Sequence, residues 1–137
     1  MPNDIDIVVE AQVKYTESKE KVAVAITKLF GTDGELRVEK DNVMFFSSSR
    51  DSLKLLKDQF RDRNVRAAAR RLLLVGSEGA NQAVLLLNKQ AATVGIAALC
   101  DDPRESPLGP IVLRISSQNI GEVIEWLTKG YDSRSTS

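Results

Sequence analysis

The 137-residue sequence predicts a two-layer α+β domain with a mainly antiparallel sheet and helices packed on one face. Two observations lead to this fold class. Some stretches alternate apolar and polar residues, as half-buried strands do, and others repeat apolar residues every three or four positions, as helices do. They follow the order strand, helix, two strands, two helices, three strands around a short helical turn, and helix. Strands that follow one another without a helix form hairpins, which favours antiparallel pairing.

The first strand and helix have clear patterns. Alternation over Ile5–Tyr15 predicts a long strand with one buried face. We expect Thr16 to cap the next helix and Glu17 to lie in its first turn. Apolar spacing over Val22–Phe30 continues that helix, and Gly31 ends it.

A hairpin and two helices are expected next. The strands are predicted over Glu35–Glu39 and Val43–Ser47, and Ser47–Ser49 offer caps for the following helix. Asn64 is expected to end that helix and to cap another. The inward residues of the first helix are Leu53, Leu56 and Phe60, and those of the second are Val65, Ala68, Ala69 and Leu72.

The second half of the chain begins with a turn at Gly76–Gly79 and a buried strand over Ala83–Leu87. Asn88 is expected to cap a short helix, after which Gly95 opens a strand that reaches Cys100. A loop over 101–110, a strand over Pro110–Ile115 and a helix over Gln118–Lys129 complete the pattern. We therefore predict one domain over residues 1–131 and a flexible C-terminal tail over residues 132–137.

Composition excludes several classes of function. The sequence has no histidine and one cysteine, so a Ser-His or Cys-His nucleophile and an ordinary zinc site cannot be built. Cys100 follows an apolar run, which favours a buried core thiol over a reactive one. No stretch approaches the roughly 20 apolar residues of a membrane span, and the N-terminus is unlike a signal peptide. We expect a cytoplasmic, non-enzymatic protein without a metal or other cofactor.

Charge is uneven along the chain although it sums to zero. Residues 50–71 hold eight basic and three acidic side chains, and the basic ones recur at helical spacing. Two such helix faces could neutralise phosphates, and arginine can bond phosphate bidentately. The predicted nucleic-acid contacts are Arg50, Lys54, Lys57, Arg61, Arg63, Arg66 and Arg70 on these faces, together with Lys89 and Gln90. The alternative is that both faces are solvated outer surfaces of amphipathic helices.

Two further motifs have more than one interpretation. Asn88-Lys89-Gln90 interrupts an apolar run, so it is either a helix cap with a sharp reversal or a ligand-contact site that uses Lys89 and Gln90. Gly76–Gly79 has the outline of an RNA-clamping GxxG loop but contains Glu78 and precedes a strand, which favours a plain turn. Trp126 is expected in the core or an interface because of its helical spacing with apolar residues, and the absence of aromatic residues among the basic side chains disfavours base stacking.

Several motifs together resemble a known family. They are Leu87–Ala92 with Gly95, Ser106–Ile111, Glu125–Leu127, the segment from Val9 to Glu17 and the helix Val65–Leu74. The chain resembles an uncharacterised archaeal protein family described as a predicted exosome subunit or RNA-binding protein. The resemblance implies a fold like that of the ribosomal large-subunit protein that binds 5S rRNA. It supplies no catalytic residue, and Ala67 departs from the family pattern, which has an acidic residue there.

Two functions remain open on the sequence. The first is a small, non-enzymatic RNA-associated module, bound to RNA or a ribonucleoprotein complex, that contacts phosphates through the basic helix faces. The second is a protein-interaction or assembly subunit that makes no direct contact with nucleic acid and docks another protein through a sheet edge or the last helix. Neither requires a membrane.

Overall fold

The structure, a computed structural model, describes residues 5–77, 81–102, 104 and 108–129. The expected turn over 76–79 lies partly outside these residues, and the expected C-terminal tail lies wholly outside them. The elements in chain order are β1 Asp6–Gln12, α1 Lys19–Phe30, β2 Glu35–Val38, β3 Asn42–Ser47, a 3-10 turn Arg50–Leu53, α2 Lys54–Asp62, α3 Arg66–Ser77, β4 Gln82–Asn88, α4 Lys89–Thr93, β5 Leu99–Cys100, β6 Pro110–Ser116 and α5 Ile120–Lys129.

The described strands form one antiparallel sheet in the order β2-β3-β1-β6-β4-β5. In the centre of the sheet, Val9 of β1 lies opposite Phe45 of β3 and Leu113 of β6. All three side chains are buried, and they join the buried residues of α1, α2, α3 and α5 in one core. The predicted two-layer fold class, with helices packed on one face of an antiparallel sheet, is confirmed.

The other sheet face, which we call the open face, carries half-buried side chains because the core and its helices lie on the opposite side. Its central charged residues are Glu10 of β1 and Arg114 of β6, which are joined by a 3.4 Å ion pair. Asn42 donates a hydrogen bond to the second oxygen of Glu10. The apolar residues of the open face are Val8, Met44, Phe46, Val84, Leu86 and Val112.

The first strand ends earlier than the alternation predicts. β1 stops at Gln12, and Tyr15 is fully exposed instead of lying on the buried face. The backbone N–H of Glu17 bonds to the carbonyl of Lys14, which forms a turn between the strand and α1. The helix cap is therefore Ser18 and not Thr16, and Ser18 accepts a hydrogen bond from the backbone of Lys21.

The strand expected between Gly95 and Cys100 contains only its last two residues, 99 and 100. Over residues 95 to 97 the backbone bonds to a helix side chain instead of a neighbouring strand, whereas the carbonyl of Ala98 accepts from the N–H of Asn88 in β4. Gln59 of α2 donates to the carbonyl of Gly95 and accepts from the N–H of Ala97. Cys100 is buried with 3% of its surface exposed, so the predicted core thiol is confirmed.

The predicted ends of α1 and α2 are confirmed, but two helix starts differ from the prediction: α3 starts directly after Val65 instead of after an Asn64 cap, and α5 starts at Ile120 instead of Gln118. Gly31 ends α1 with a φ of 79°, and Ser49 caps the 3-10 turn that leads into α2. Asn64 follows α2 in the left-handed conformation, at a φ of 59°. In α3 the residues deepest in the core are Ala69 and Leu73, whereas Leu72 is only partly buried.

Candidate functional site

Helix α5 lies against the predicted basic faces and supplies acidic partners to two of their arginines. Arg50 bonds Glu122 through both guanidinium ends, at 2.6 and 3.2 Å. Arg70 forms an ion pair with Glu125. Both carboxylates are more than half exposed, so these pairs are screened by solvent and salt. A phosphate would therefore compete with an existing carboxylate at each of these arginines.

Trp126 of α5 lies beneath two of the basic residues. The Arg50 guanidinium is 5.4 Å from the centre of the Trp126 ring, and the Lys57 ammonium is 5.7 Å from it. These distances fit cation–π contacts. Trp126 is partly buried against the core, as the sequence predicts. The Trp126 ring therefore connects α5 to α2 through Lys57 and already has two cationic partners in the protein.

The other predicted phosphate ligands also have protein partners. Lys54 is 3.3 Å from Asp51, and Arg61 is 3.0 Å from Asp62, whose hydrogen bond raises the pKa of the guanidinium. Two arginines bond to backbone carbonyls: Arg63 to Ala97 at 2.7 Å and Arg66 to Lys129 at 3.3 Å. The sequence could not reveal the partners of Arg63 and Arg66, because these carbonyls lie far along the chain, whereas Asp51 and Asp62 are close in sequence to the side chains that they pair with.

Lys89 has a different environment from the other predicted ligands, since only 1% of its side chain is exposed. Its ammonium donates to the carbonyls of Gln12 and Leu108, each at 2.6 Å, and to the carboxylate of Glu17 at 2.9 Å. An ammonium has three protons, so these partners use its full capacity. We call these four residues the Lys89 node. It lies where β1 and β4 end and β6 begins.

The local structure around the Lys89 node follows from residues that the sequence already singles out. Asn88 caps α4 by accepting from the backbone of Ala91 at 2.8 Å, which is the predicted cap. The cap turns the chain so that Lys89 enters the interior, while Gln90 is exposed. Glu17, predicted in the first turn of α1, instead lies before that helix and faces Lys89.

A cavity of about 290 Å³ lies beside the Lys89 node, between the start of α1 and α4. Glu17 and Lys89 line its inner part, and Lys21, Gln90 and Thr93 contribute polar groups around them. The sequence identified Lys89 and Gln90 but missed Lys21, because a lysine in an exposed helical turn has no distinguishing pattern. The structure thus separates Lys89 and Gln90 from the basic helix faces and places them in a site of their own.

The described part of the chain was also compared with the requirements of metal sites and membrane spans: neither a metal-ligand cluster nor a spanning helix occurs in it. No group of three or more cysteine, aspartate or glutamate residues there has the geometry to hold a metal ion. None of its helices combines the length and the apolar composition that a membrane span requires.

The chain is similar to several known proteins, both in sequence and in structure. No family model matches the chain. It is 34% identical over 126 residues to a UPF0201 protein from Pyrobaculum neutrophilum, covering 90% of this chain and 87% of the relative. It is 36% identical over 126 residues to a UPF0201 protein from Sulfurisphaera tokodaii, covering 89% and 86%. The crystal structure of a UPF0201 protein from Methanococcus jannaschii is 28% identical with a TM-score of 0.78, covering 90% and 98%.

Proposed function

This chain belongs to the archaeal UPF0201 family, a name that states no activity, and we propose from the geometry that it is a non-enzymatic assembly module. Its open face would pair with a second copy of the chain. The observation that carries this proposal is the combination of half-buried apolar side chains with one central acidic and one central basic residue.

Self-complementary charge favours a second copy as the partner. In a two-fold symmetric interface the same patch meets itself, so residue i of one copy contacts residue j of the other and the reverse. Glu10 and Arg114 lie on neighbouring central strands, so Glu10 of each copy can approach Arg114 of the other. The surrounding apolar side chains would then interdigitate as between the two sheets of a sandwich.

Nucleic acid fits the open face less well. Besides Glu10 and Arg114, the face carries Glu35 and Arg37 on β2, with the Arg37 guanidinium 5.1 Å above the Phe46 ring. Asp6 of β1 also lies on this face, so its three carboxylates outnumber its two guanidinium groups, and the face does not concentrate the positive charge that phosphate binding requires. A partly apolar face without excess positive charge is more typical of a protein contact.

The proposal is tested by reversing the central charges. Glu10→Arg places two arginines, and Arg114→Glu two carboxylates, at the centre of the interface. In sedimentation equilibrium the unmodified protein is expected to be a dimer, and each single variant is expected to be a monomer. An equimolar mixture of the two variants restores opposite charges across the interface, so it is expected to form mixed dimers. Val94→Glu, at an exposed apolar residue away from the open face, is the control and is expected to remain dimeric.

Three results would contradict the assembly proposal. One is an unmodified protein that stays monomeric at all concentrations. Another is a dimer that both charge-reversed variants preserve. The third is a mixture of the two variants that fails to associate although each is folded by circular dichroism.

A second candidate, an RNA-associated module, is supported by the eight basic and three acidic side chains over residues 50–71. The exosome and 5S-rRNA-protein associations implied by the resemblance belong to this hypothesis. The test compares RNA retention across a salt series for Lys54→Glu, Lys57→Glu and Arg66→Glu combined, and for Lys14→Glu, Lys19→Glu and Lys40→Glu combined. Only the first set should lose binding if the basic faces contact phosphates, and equal loss would assign the effect to net charge.

Either function is compatible with a cytoplasmic location, which we infer from the single free cysteine.

A further inference from the structure

We propose that the cavity between α1 and α4 binds a free amino acid or a similarly small amino carboxylate. This proposal is independent of the assembly function, because the cavity lies beside the helices and away from the open face. Its volume of about 290 Å³ is close to the lower end of the range of small-molecule sites. It continues into a second cavity of about 410 Å³ that shares Lys21 and Thr93 with it.

The carboxylate of Glu17 lies in the inner part of the cavity and is a hydrogen-bond acceptor held in a fixed position. The side chain of Glu17 is 10% exposed, and its Oε1 accepts from the Lys89 ammonium and from the backbone N–H of Lys14. Its other oxygen, Oε2, takes part in no hydrogen bond with the described residues. A carboxylate accepts at both oxygens, and a buried acceptor without a donor is unfavourable. An ammonium group on a ligand satisfies this oxygen.

Lys89 positions this acceptor and does not itself contact the ligand. All three of its protons are donated within the protein. Its bonds to the carbonyls of Gln12 and Leu108 fix the ammonium, and the ammonium in turn fixes the carboxylate of Glu17. Such preorganisation reduces the ordering cost of binding, since the carboxylate is already immobilised before the ligand arrives.

Lys21 offers a positive charge to the ligand, in contrast to the negative charge of Glu17. It is exposed, it lines both cavities, and its ammonium forms no ion pair with any described residue. An anionic group on the ligand satisfies it. Val22 and Leu108 supply apolar contact between the two charged ends, and the exposed Gln90 offers an amide that donates and accepts. A ligand with an ammonium, a carboxylate and a short aliphatic part matches all of these groups.

The test uses L-leucine and its two halves as probes. Isoamylamine keeps the aliphatic part and the amine but lacks the carboxylate, and 4-methylpentanoate keeps the carboxylate but lacks the amine. Titration calorimetry and amide chemical-shift mapping are carried out on the full chain, and the common amino acids are screened singly in the same way. We expect at least one amino acid to bind at the α1–α4 cavity and each corresponding half-ligand to bind at least about tenfold more weakly.

Two matched variants complete the experiment. Lys21→Met removes the partner of the anionic group at an exposed position, so the fold is retained and the affinity for the amino acid falls at least about tenfold. Lys19→Met removes an exposed lysine of the same helical turn that does not line the cavity, and binding is unchanged. The proposal is overturned if no amino acid binds, if the half-ligands bind as well as the whole molecule, or if Lys21→Met binds as tightly as the unmodified protein.

Discussion

Replacing Lys89 by methionine isolates the contribution of its ammonium group, because methionine is unbranched and apolar and fills much of the same space. In the native protein the ammonium donates to two carbonyls and one carboxylate. The variant removes this donor from both carbonyls and leaves the carboxylate with the backbone N–H of Lys14 as a donor. Lys89 is 1% exposed and the side chain of Glu17 is 10% exposed, so solvent replaces little of what is lost.

The magnitude follows from the cost of orphaned buried groups. Removing one partner of a buried ion pair typically costs about 3–5 kcal/mol, since the remaining charge stays desolvated. The carboxylate of Glu17 still accepts from the backbone N–H of Lys14, which keeps the loss within that range even though two carbonyls are orphaned as well. We expect Lys89→Met to lose about 3–5 kcal/mol of unfolding free energy, a large part of the about 5–15 kcal/mol that folded domains possess.

Urea unfolding followed by circular dichroism measures this loss. Lys28→Met is the matched control, because that lysine is exposed and donates a single bond to the carbonyl of Thr93. It is expected to cost less than about 1 kcal/mol. Adding Glu17→Leu to Lys89→Met removes the orphaned carboxylate and should restore part of the stability. If Lys89→Met costs no more than the control, the Lys89 node does not stabilise the fold as we infer.

Three further predictions concern local features of the fold. Gly76→Ala is expected to lose about 1–3 kcal/mol of stability in urea unfolding, because a Cβ at that position would lie 2.7 Å from a backbone oxygen of β4. A Cβ at Gly121 would meet open space, so Gly121→Ala should gain up to about 1 kcal/mol. A gain in stability at both sites would contradict this expectation. Cys100→Ala should lose about 1–2 kcal/mol of core stability without changing the oligomeric state in sedimentation equilibrium. The backbone at Glu20 and the Ser18 hydroxyl lower the pKa of Glu20 below its usual 4.5, so its contribution to stability is complete above pH 4.5 and is lost as pH falls through the lowered pKa. Ser18→Ala should therefore raise that pKa, which carboxyl NMR titration measures, and an unchanged titration would refute the assignment.

Local patterns predicted those parts of the fold whose stabilising contacts are local. The Asn88 cap, the Gly31 stop and the existence of a strand over Ala83–Leu87 were all readable, because each depends on residues close together in the sequence. Tyr15 was not, because alternation continues through Val13 although the strand ends at Gln12. The strand after Gly95 was also mispredicted, since distant helix side chains take its hydrogen-bonding groups.

Only part of the candidate site could be predicted from the sequence, because the contacts of Lys89 are made with residues that are distant along the chain. The triplet 88–90 marked a place where polar residues break an apolar run, and that place is indeed beside a cavity. The partners of Lys89 are 72 and 77 residues away on one side and 19 on the other. No spacing rule connects such positions. Likewise, the acidic residues of α5 that pair with Arg50 and Arg70 lie more than fifty residues along the chain.

The Lys89 node lies where three central strands end or begin, so its hydrogen bonds depend on the alignment of those strands. Sliding β1 or β4 by one residue would shift its backbone about 3.3 Å and turn its side chains to the opposite sheet face. The ammonium would then miss the carbonyl of Gln12, which it now meets at 2.6 Å. A misaligned sheet would thus trap an unpaired positive charge in the interior. We therefore expect this lysine, together with apolar burial, to favour the correct strand pairing, and variants lacking it to populate shifted pairings during refolding.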